Sequence, residues 1–307
     1  MENNRDIDIL IIGAGPAGLT ASIYAYRSNL KTLIVSGGAP GGKVNVASKI
    51  ANFPGYAEID GASLAFKFYE QVHNMGIEVV SASVLEVRKE GKSFRVITDN
   101  GEYFSKAIIV ATGTSNKALL IPGEKEFLGK GLSYCATCDG YFFKGRDVAV
   151  LGNNSHAFEE ALFLANIANK VSLIYAEIPT AEETLIKKVL GTKNIQTFKG
   201  YKALSINGEN AVASITIANA QKESINVPVS GVFPFIGEKA TLDFLHLFEI
   251  SNRNGFIIVN NLMETNISGV FAAGDVTDSP LRQIVTAASN GAVAATSAIK
   301  FVKGLKK

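Results

Sequence analysis

A strand that runs into a glycine turn and out again into a small-residue helix occurs twice, and this repeat limits the possible folds more than any other feature. The first copy is DIDILIIGAGPAGLTASIYAYRSNLKTLIVS, residues 6–36, and the second is RDVAVLGNNSHAFEEALFLANIANKVSLIY, residues 146–175. In each copy the helical stretch is followed by a second strand, at Thr32 to Val35 and at Val171 to Tyr175. Strand, helix, strand in that order requires a parallel pair joined by a right-handed crossover. Each copy then leads into short strands broken by Gly, Asn and Asp, with Asn100-Gly101 as a hairpin signal. Both stretches end in an apolar strand that closes on a glycine, Gly113 and Gly237.

The expected fold is therefore α/β, with two Rossmann-like, three-layer βαβ domains. Residues 1–116 and 247–307 are expected to form one discontinuous domain, and 117–246 the other. A chain of 307 residues has room for two medium domains. With 47% apolar and 19% charged residues the chain is expected to fold, because disordered segments show the opposite balance. A net charge of +2 gives no electrostatic footprint for nucleic acid. No apolar run reaches the ~20 residues needed to cross a bilayer, and the polar start MENNRDID does not resemble a secretory signal. The expected location is cytoplasmic.

Gly13-Ala14-Gly15-Pro16-Ala17-Gly18 follows a strand and opens a helix, the context in which a G-x-G-x-x-G loop binds a dinucleotide. The first glycine permits the turn, the second admits a pyrophosphate against bare backbone, and the third lets helix and strand pack closely. A second piece is FAAGDVTDSPLRQIVTAASNGAVAA, where Asp275 follows a strand and precedes a helix. There a carboxylate can accept a hydrogen bond from a polyol hydroxyl, or it can merely cap the helix.

The chain has only two cysteines, Cys135 and Cys138, in the run CATCDG. Structural zinc needs four ligands, and neither a second pair nor ligand spacing among His73, His156 and His246 supplies them, so no metal site is expected. As a redox pair, one thiol attacks a partner disulfide and the other resolves the mixed intermediate.

GAGPAG, the Ala111-Thr112-Gly113 turn, CATCDG, and FAAGDV with Leu281-Arg282-Gln283 together resemble the low-molecular-weight thioredoxin reductases of bacteria, over nearly the whole chain. The resemblance implies an FAD-dependent homodimer that reduces thioredoxin, with catalytic residues Cys135, Cys138 and Asp139. Cys138 would face the flavin, Cys135 would attack the substrate, and Asp139 would be the acid–base beside the interchange thiol. It places the FAD contacts on Gly13, Gly15, Pro16, Ala17, Gly18, Ser36, Gly37, Gly41, Gly42, Lys43, Asn52, Val84, Thr112, Gly113, Asp275, Arg282, Gln283 and Ile284. Ser36 stands where many flavoproteins keep an acid for the ribose, and Lys43 stands where the family keeps glutamine.

The second loop departs from that pattern. It reads Gly152-Asn153-Asn154-Ser155-His156-Ala157, so the glycine that admits a pyrophosphate is Asn154. The family's His-Arg-Arg run, whose arginines hold the 2′-phosphate of NADPH, is Tyr175-Ala176-Glu177. Two parts of one site are altered together, so NADPH is not expected to be used. The chain is most similar to the ferredoxin-dependent flavin thioredoxin reductases, in which reduced ferredoxin is the donor. From a ferredoxin near roughly −400 mV to thioredoxin near roughly −270 mV, two electrons run downhill by about 6 kcal/mol. Two alternatives stay open: a nicotinamide-dependent reductase with an altered site, and a flavin-dependent oxidase of small dithiols.

Overall fold

The computed structural model describes residues 7–47 and 50–305, except for the side chain of Cys138. Contacts divide the chain into two compact units, Met1–Ser115 with Lys239–Lys307, and Asn116–Glu238.

β1 (Ile7–Ile12) is buried on both faces. Ile9 and Ile11 point into one core and Leu10 and Ile12 into another, as expected of a parallel strand covered on both sides. α1 (Pro16–Arg27) follows, with proline at its start where the ring's fixed φ suits a helix. After β2 (Thr32–Ser36), α2 (Gly61–Asn74) is capped by Asp60, whose Oδ1 accepts the Ser63 N–H at 2.8 Å. β3 (Glu78–Ser81), β4 (Val84–Glu90), β5 (Ser93–Thr98) and β6 (Gly101–Val110) complete the order β3-β2-β1-β6-β5-β4. β3, β2, β1 and β6 run parallel, and β5 is antiparallel to β6 across the Asn100-Gly101 turn.

β7 (Thr114–Asn116) leads into the second unit. Short helices α3 (Glu124–Phe127) and α4 (Ala136–Asp139) precede β8 (Asp147–Leu151), α5 (Ser155–Ala165), β9 (Lys170–Tyr175), α6 (Glu183–Leu190) and β10 (Ile195–Lys199). β11 (Lys202–Gly208), β12 (Val212–Ala218) and β13 (Ser224–Pro228) form an antiparallel sheet. β14 (Gly231–Pro234) returns beside β8 to complete a parallel sheet of order β10-β9-β8-β14. β15 (Glu238–Ala240) pairs with β7, so the two strands at the crossings form one ribbon.

The chain then re-enters the first unit. The segment 239–246, grouped with the second domain in the sequence reading, packs with the first: Phe244 and Leu245 are buried with Leu10, Val87 and Phe94. β16 (Asn252–Arg253) and β17 (Phe256–Ile257) make a small hairpin. β18 (Val270–Ala272) joins the edge of β6 in parallel, and α7 (Ile284–Gly304) lies against α1.

Candidate functional site

In the first unit β2, β1, β6 and β18 run parallel, so the loops that leave them gather at one edge of the sheet. Gly13 adopts φ +109, and a Cβ on it would lie 2.3 Å from the Ala111 carbonyl oxygen. A Cβ on Gly18 would lie 1.9 Å from the Gly13 oxygen. Packing explains both glycines, but not Gly15, whose Cβ would meet nothing within 4 Å. Gly15 is the N-cap of α1, with no side-chain cap and no acidic residue in the first turn. The helix start therefore offers backbone N–H and partial positive charge past a residue with no side chain, which suits a phosphate.

A second glycine pair lies over this loop. The Gly41 N–H donates to the Ala14 oxygen at 2.7 Å, and a Cβ on Gly42 would lie 3.5 Å from the Gly15 Cα. Lys43 Nζ donates to Thr114 Oγ1 at 2.8 Å. Asn52 Nδ2 donates to Gln283 Oε1 at 3.0 Å, and Gln283 caps α7 through a reciprocal pair with Thr286. Ile284 is the first residue of α7. The Arg282 guanidinium sits 3.8 Å from the Phe256 ring centroid, a cation–π contact that holds the chain before the helix. Asp275 lies in the 3-10 turn Gly274–Val276, and Thr112 Oγ1 is 3.5 Å from the Thr241 oxygen. Gly113 has φ +65. On the β2 side, Ser36 Oγ donates to the Gly38 oxygen at 3.0 Å, Gly37 adjoins Ser83, and Val84 opens β4. Both glycine loops, the β6 exit and the α7 cap thus converge in one unit, and their donors fit FAD.

The corresponding loop of the second unit is closed by its own side chains. Gly152 keeps a strained turn at φ +144, where a Cβ would lie 2.4 Å from the Phe235 oxygen. Asn154 is the N-cap of α5; its Oδ1 accepts the Ala157 N–H at 2.9 Å and its Nδ2 donates to the Phe235 oxygen at 2.8 Å. An amide therefore sits on the helix N-terminus where α1 has bare glycine. Asn153 Nδ2 donates to the Ile178 oxygen at 3.1 Å, and the Thr180 N–H donates to the Asn153 oxygen at 2.8 Å. These bonds tie the segment after β9, which contains Ala176 and Glu177, onto the loop.

Cys135 is disulfide-bonded, and the one other cysteine in the chain is Cys138, at the third position of α4. The Cys138 side chain lies outside the described atoms. The Cys135 N–H donates to Ser133 Oγ at 3.0 Å, Thr137 Oγ1 is 3.3 Å from Cys135 Sγ, and the Asp139 N–H donates to the Cys135 oxygen at 3.2 Å. Just before the pair, the Tyr134 hydroxyl donates to Glu124, which also accepts the N–H of Leu119 at 2.8 Å and Leu120 at 2.7 Å. Burial and the Glu124 carboxylate push the Tyr134 phenol well above its ordinary range. Burial works to raise Glu124, but the bonds from Tyr134 and the two amides outweigh it and hold the carboxyl below its ordinary value. Among the described residues, no group of three or more His, Cys, Asp or Glu could hold a metal ion.

Several contributors escaped sequence reading. Gly291 would place a Cβ 2.1 Å from the Ala17 oxygen and Gly274 one 2.9 Å from the Ala17 Cβ, so both let α7 and its preceding turn approach α1. The small-residue run in α7 was the available signal. Tyr141 and Phe142, next to the disulfide, are 68% and 76% exposed while Phe143 turns inward.

A dinucleotide cradle in one βαβ unit and a C-x-x-C disulfide in the other define an oxidoreductase of the two-dinucleotide-fold class. The family model for pyridine nucleotide-disulphide oxidoreductases matches residues 7–291, and the chain belongs to that family. Within it the chain is a thioredoxin reductase homologue. The thioredoxin reductase of Bacillus subtilis (strain 168) is 35% identical and covers 100% of this chain and 98% of its own. The crystal structure of Lactococcus lactis thioredoxin reductase in its FR conformation matches with a TM-score of 0.90 and 36% identity, covering 97% of this chain and 99% of that one. A ferredoxin-flavin thioredoxin reductase from Clostridium acetobutylicum matches with a TM-score of 0.55 and 31% identity over 99% of both chains. The fold is the two-domain, Rossmann-like α/β fold of these enzymes. Among the described residues no helix is long and apolar enough to cross a membrane.

Proposed function

We propose that this protein is a flavin-dependent thioredoxin reductase that takes its electrons from reduced ferredoxin and does not use NADPH. The observation that carries this reading is Asn154, which caps α5 with its own amide where a nucleotide phosphate would otherwise bind. The absence of arginine at Tyr175-Ala176-Glu177 removes the charges that recognise a 2′-phosphate. The similarity to the ferredoxin-flavin enzyme of C. acetobutylicum supports the same donor. Homodimer formation and a cytoplasmic location belong to this reading through the family likeness.

FAD would be held by Gly13–Gly18, Gly41–Gly42, Asp275 and the start of α7, and would supply a centre that accepts electrons singly and releases them in pairs. The remaining chemistry belongs to the chain. Once the Cys135–Cys138 pair is reduced, the Cys135 thiolate attacks the thioredoxin disulfide and forms a mixed disulfide. The Cys138 thiolate then attacks Cys135 Sγ, reforming the internal bond and releasing thioredoxin as a dithiol. Asp139 exchanges the proton of the interchange thiol. In balance, two reduced ferredoxins and two protons convert one thioredoxin disulfide into a dithiol.

Anaerobic mixing of the flavoprotein with NADPH, NADH and reduced ferredoxin in turn, followed at the oxidised flavin band, tests the donor. Bleaching by ferredoxin alone, reversed by oxidised thioredoxin, supports the proposal. The retained turn at Gly152 favours one competing reading, a nicotinamide-dependent reductase with an altered site, and prompt bleaching by either nicotinamide would establish it. Fast peroxide formation with a small dithiol but not with thioredoxin would point to an oxidase.

A further inference from the structure

We propose that Lys43 raises the reduction potential of the bound flavin by holding an ammonium beside the isoalloxazine half of the cofactor. The inference rests on the first unit being the FAD site and is independent of which donor reduces it.

The position follows from the order of the strands. In an open parallel sheet a dinucleotide lies across the C-terminal strand ends, with its pyrophosphate at the first helix and its adenosine ribose at the end of the next strand. Here those places are Gly15 at the start of α1 and Ser36 at the end of β2. The order β2-β1-β6 puts β6 on the opposite side of β1 from β2. With adenosine toward β2, the flavin half extends toward β6. Lys43 leaves the loop that lies on Gly15, and its Nζ reaches Thr114 Oγ1, just past the end of β6, at 2.8 Å. The ammonium therefore stands on the flavin side of the pyrophosphate site.

Two electrons and one proton added to the isoalloxazine leave it with a net negative charge at neutral pH, whereas the oxidised ring is neutral. A cation beside the ring lowers the energy of the reduced form more than that of the oxidised form, and so raises the potential.

The test is an anaerobic redox titration of purified holoprotein against a reference dye, for wild type, Lys43→Gln, Lys43→Arg and Thr114→Val. Visible absorbance first reports the flavin content of each. Lys43→Gln is expected to shift the flavin equilibrium toward the oxidised form by about tenfold, equivalent to ~30 mV for a two-electron couple. Lys43→Arg keeps the charge and is expected to stay close to wild type. Thr114→Val removes the 2.8 Å hydrogen bond that holds the ammonium toward the end of β6, and is expected to shift in the same direction by less. Flavin-loaded Lys43→Gln that titrates as wild type, or Lys43→Arg that falls as far as Lys43→Gln, overturns the inference while leaving the FAD reading intact. If Lys43→Gln loses its flavin, an unmoved Thr114→Val overturns it. Wild-type protein that holds no flavin defeats the site reading itself, and this inference with it.

Discussion

Two glycines in one loop lack a side chain for opposite reasons. Gly18 faces the Gly13 carbonyl oxygen, so Gly18→Ala must push α1 off its strand, and a loss of about 2–3 kcal/mol in thermal unfolding is expected. Gly15 faces no protein atom, so Gly15→Ala is expected to leave apoprotein stability within about 1 kcal/mol and yet weaken FAD binding at least about tenfold by titration. Equal damage to stability from both would remove the argument for a phosphate at Gly15. A second residue-scale effect is at Glu160, where burial first and the Glu159 charge second push the carboxyl up to about 7 from its ordinary 4.5. Its Oε2 is buried without a hydrogen bond, and its Oε1 is 3.8 Å from His156 Nδ1. A raised carboxyl favours the folded state while protonated. Its contribution is complete below pH 4.5 and is lost as pH rises through about 7. Glu160→Gln should flatten that fall and, at pH 8, be more stable than wild type by up to about 3 kcal/mol in denaturant unfolding. A parallel pH profile for the two proteins would show that Glu160 is not the titrating group.

At the scale of elements, α1 and α5 begin two copies of the same unit but end the comparison at their caps. The start of α1 is left to a residue without a side chain, whereas α5 carries its own cap, Asn154, bonded also to Phe235. Asn154→Gly with Ala176→Arg and Glu177→Arg restores both the bare backbone and the two positive charges. The triple variant should lose about 1–2 kcal/mol from the missing hydrogen bonds and gain NADPH binding measurable by titration, where none is expected for wild type. A folded triple variant that still ignores NADPH would shift the obstacle to the Asn153–Thr180 tie. The loss of the middle glycine was legible in the sequence. The replacement's role as a cap was not, because it needs Phe235, 81 residues away in the chain, to arrive beside the loop.

For the molecule as a whole, Tyr141 and Phe142 expose apolar, aromatic surface close in sequence to Cys135 and Cys138, the kind of surface on which protein partners anchor. Replacing both with alanine is expected to raise KM for thioredoxin by about tenfold, about 1.4 kcal/mol of binding, with kcat and the rate toward a small disulfide little changed. An unaltered KM would place the docking surface elsewhere. By itself the sequence determined the α/β class and the two βαβ units and singled out the cysteine pair, because each depends on local patterns: apolar strands, glycine turns and two-residue spacing. It also identified the second loop as altered. Only the tertiary structure decided that Phe244 and Leu245 belong to the first unit's core, that α7 closes on α1 through Gly291, and that Lys43 reaches Thr114. Each joins residues far apart in sequence, and which pairs meet depends on strand order and packing, quantities that no local pattern encodes.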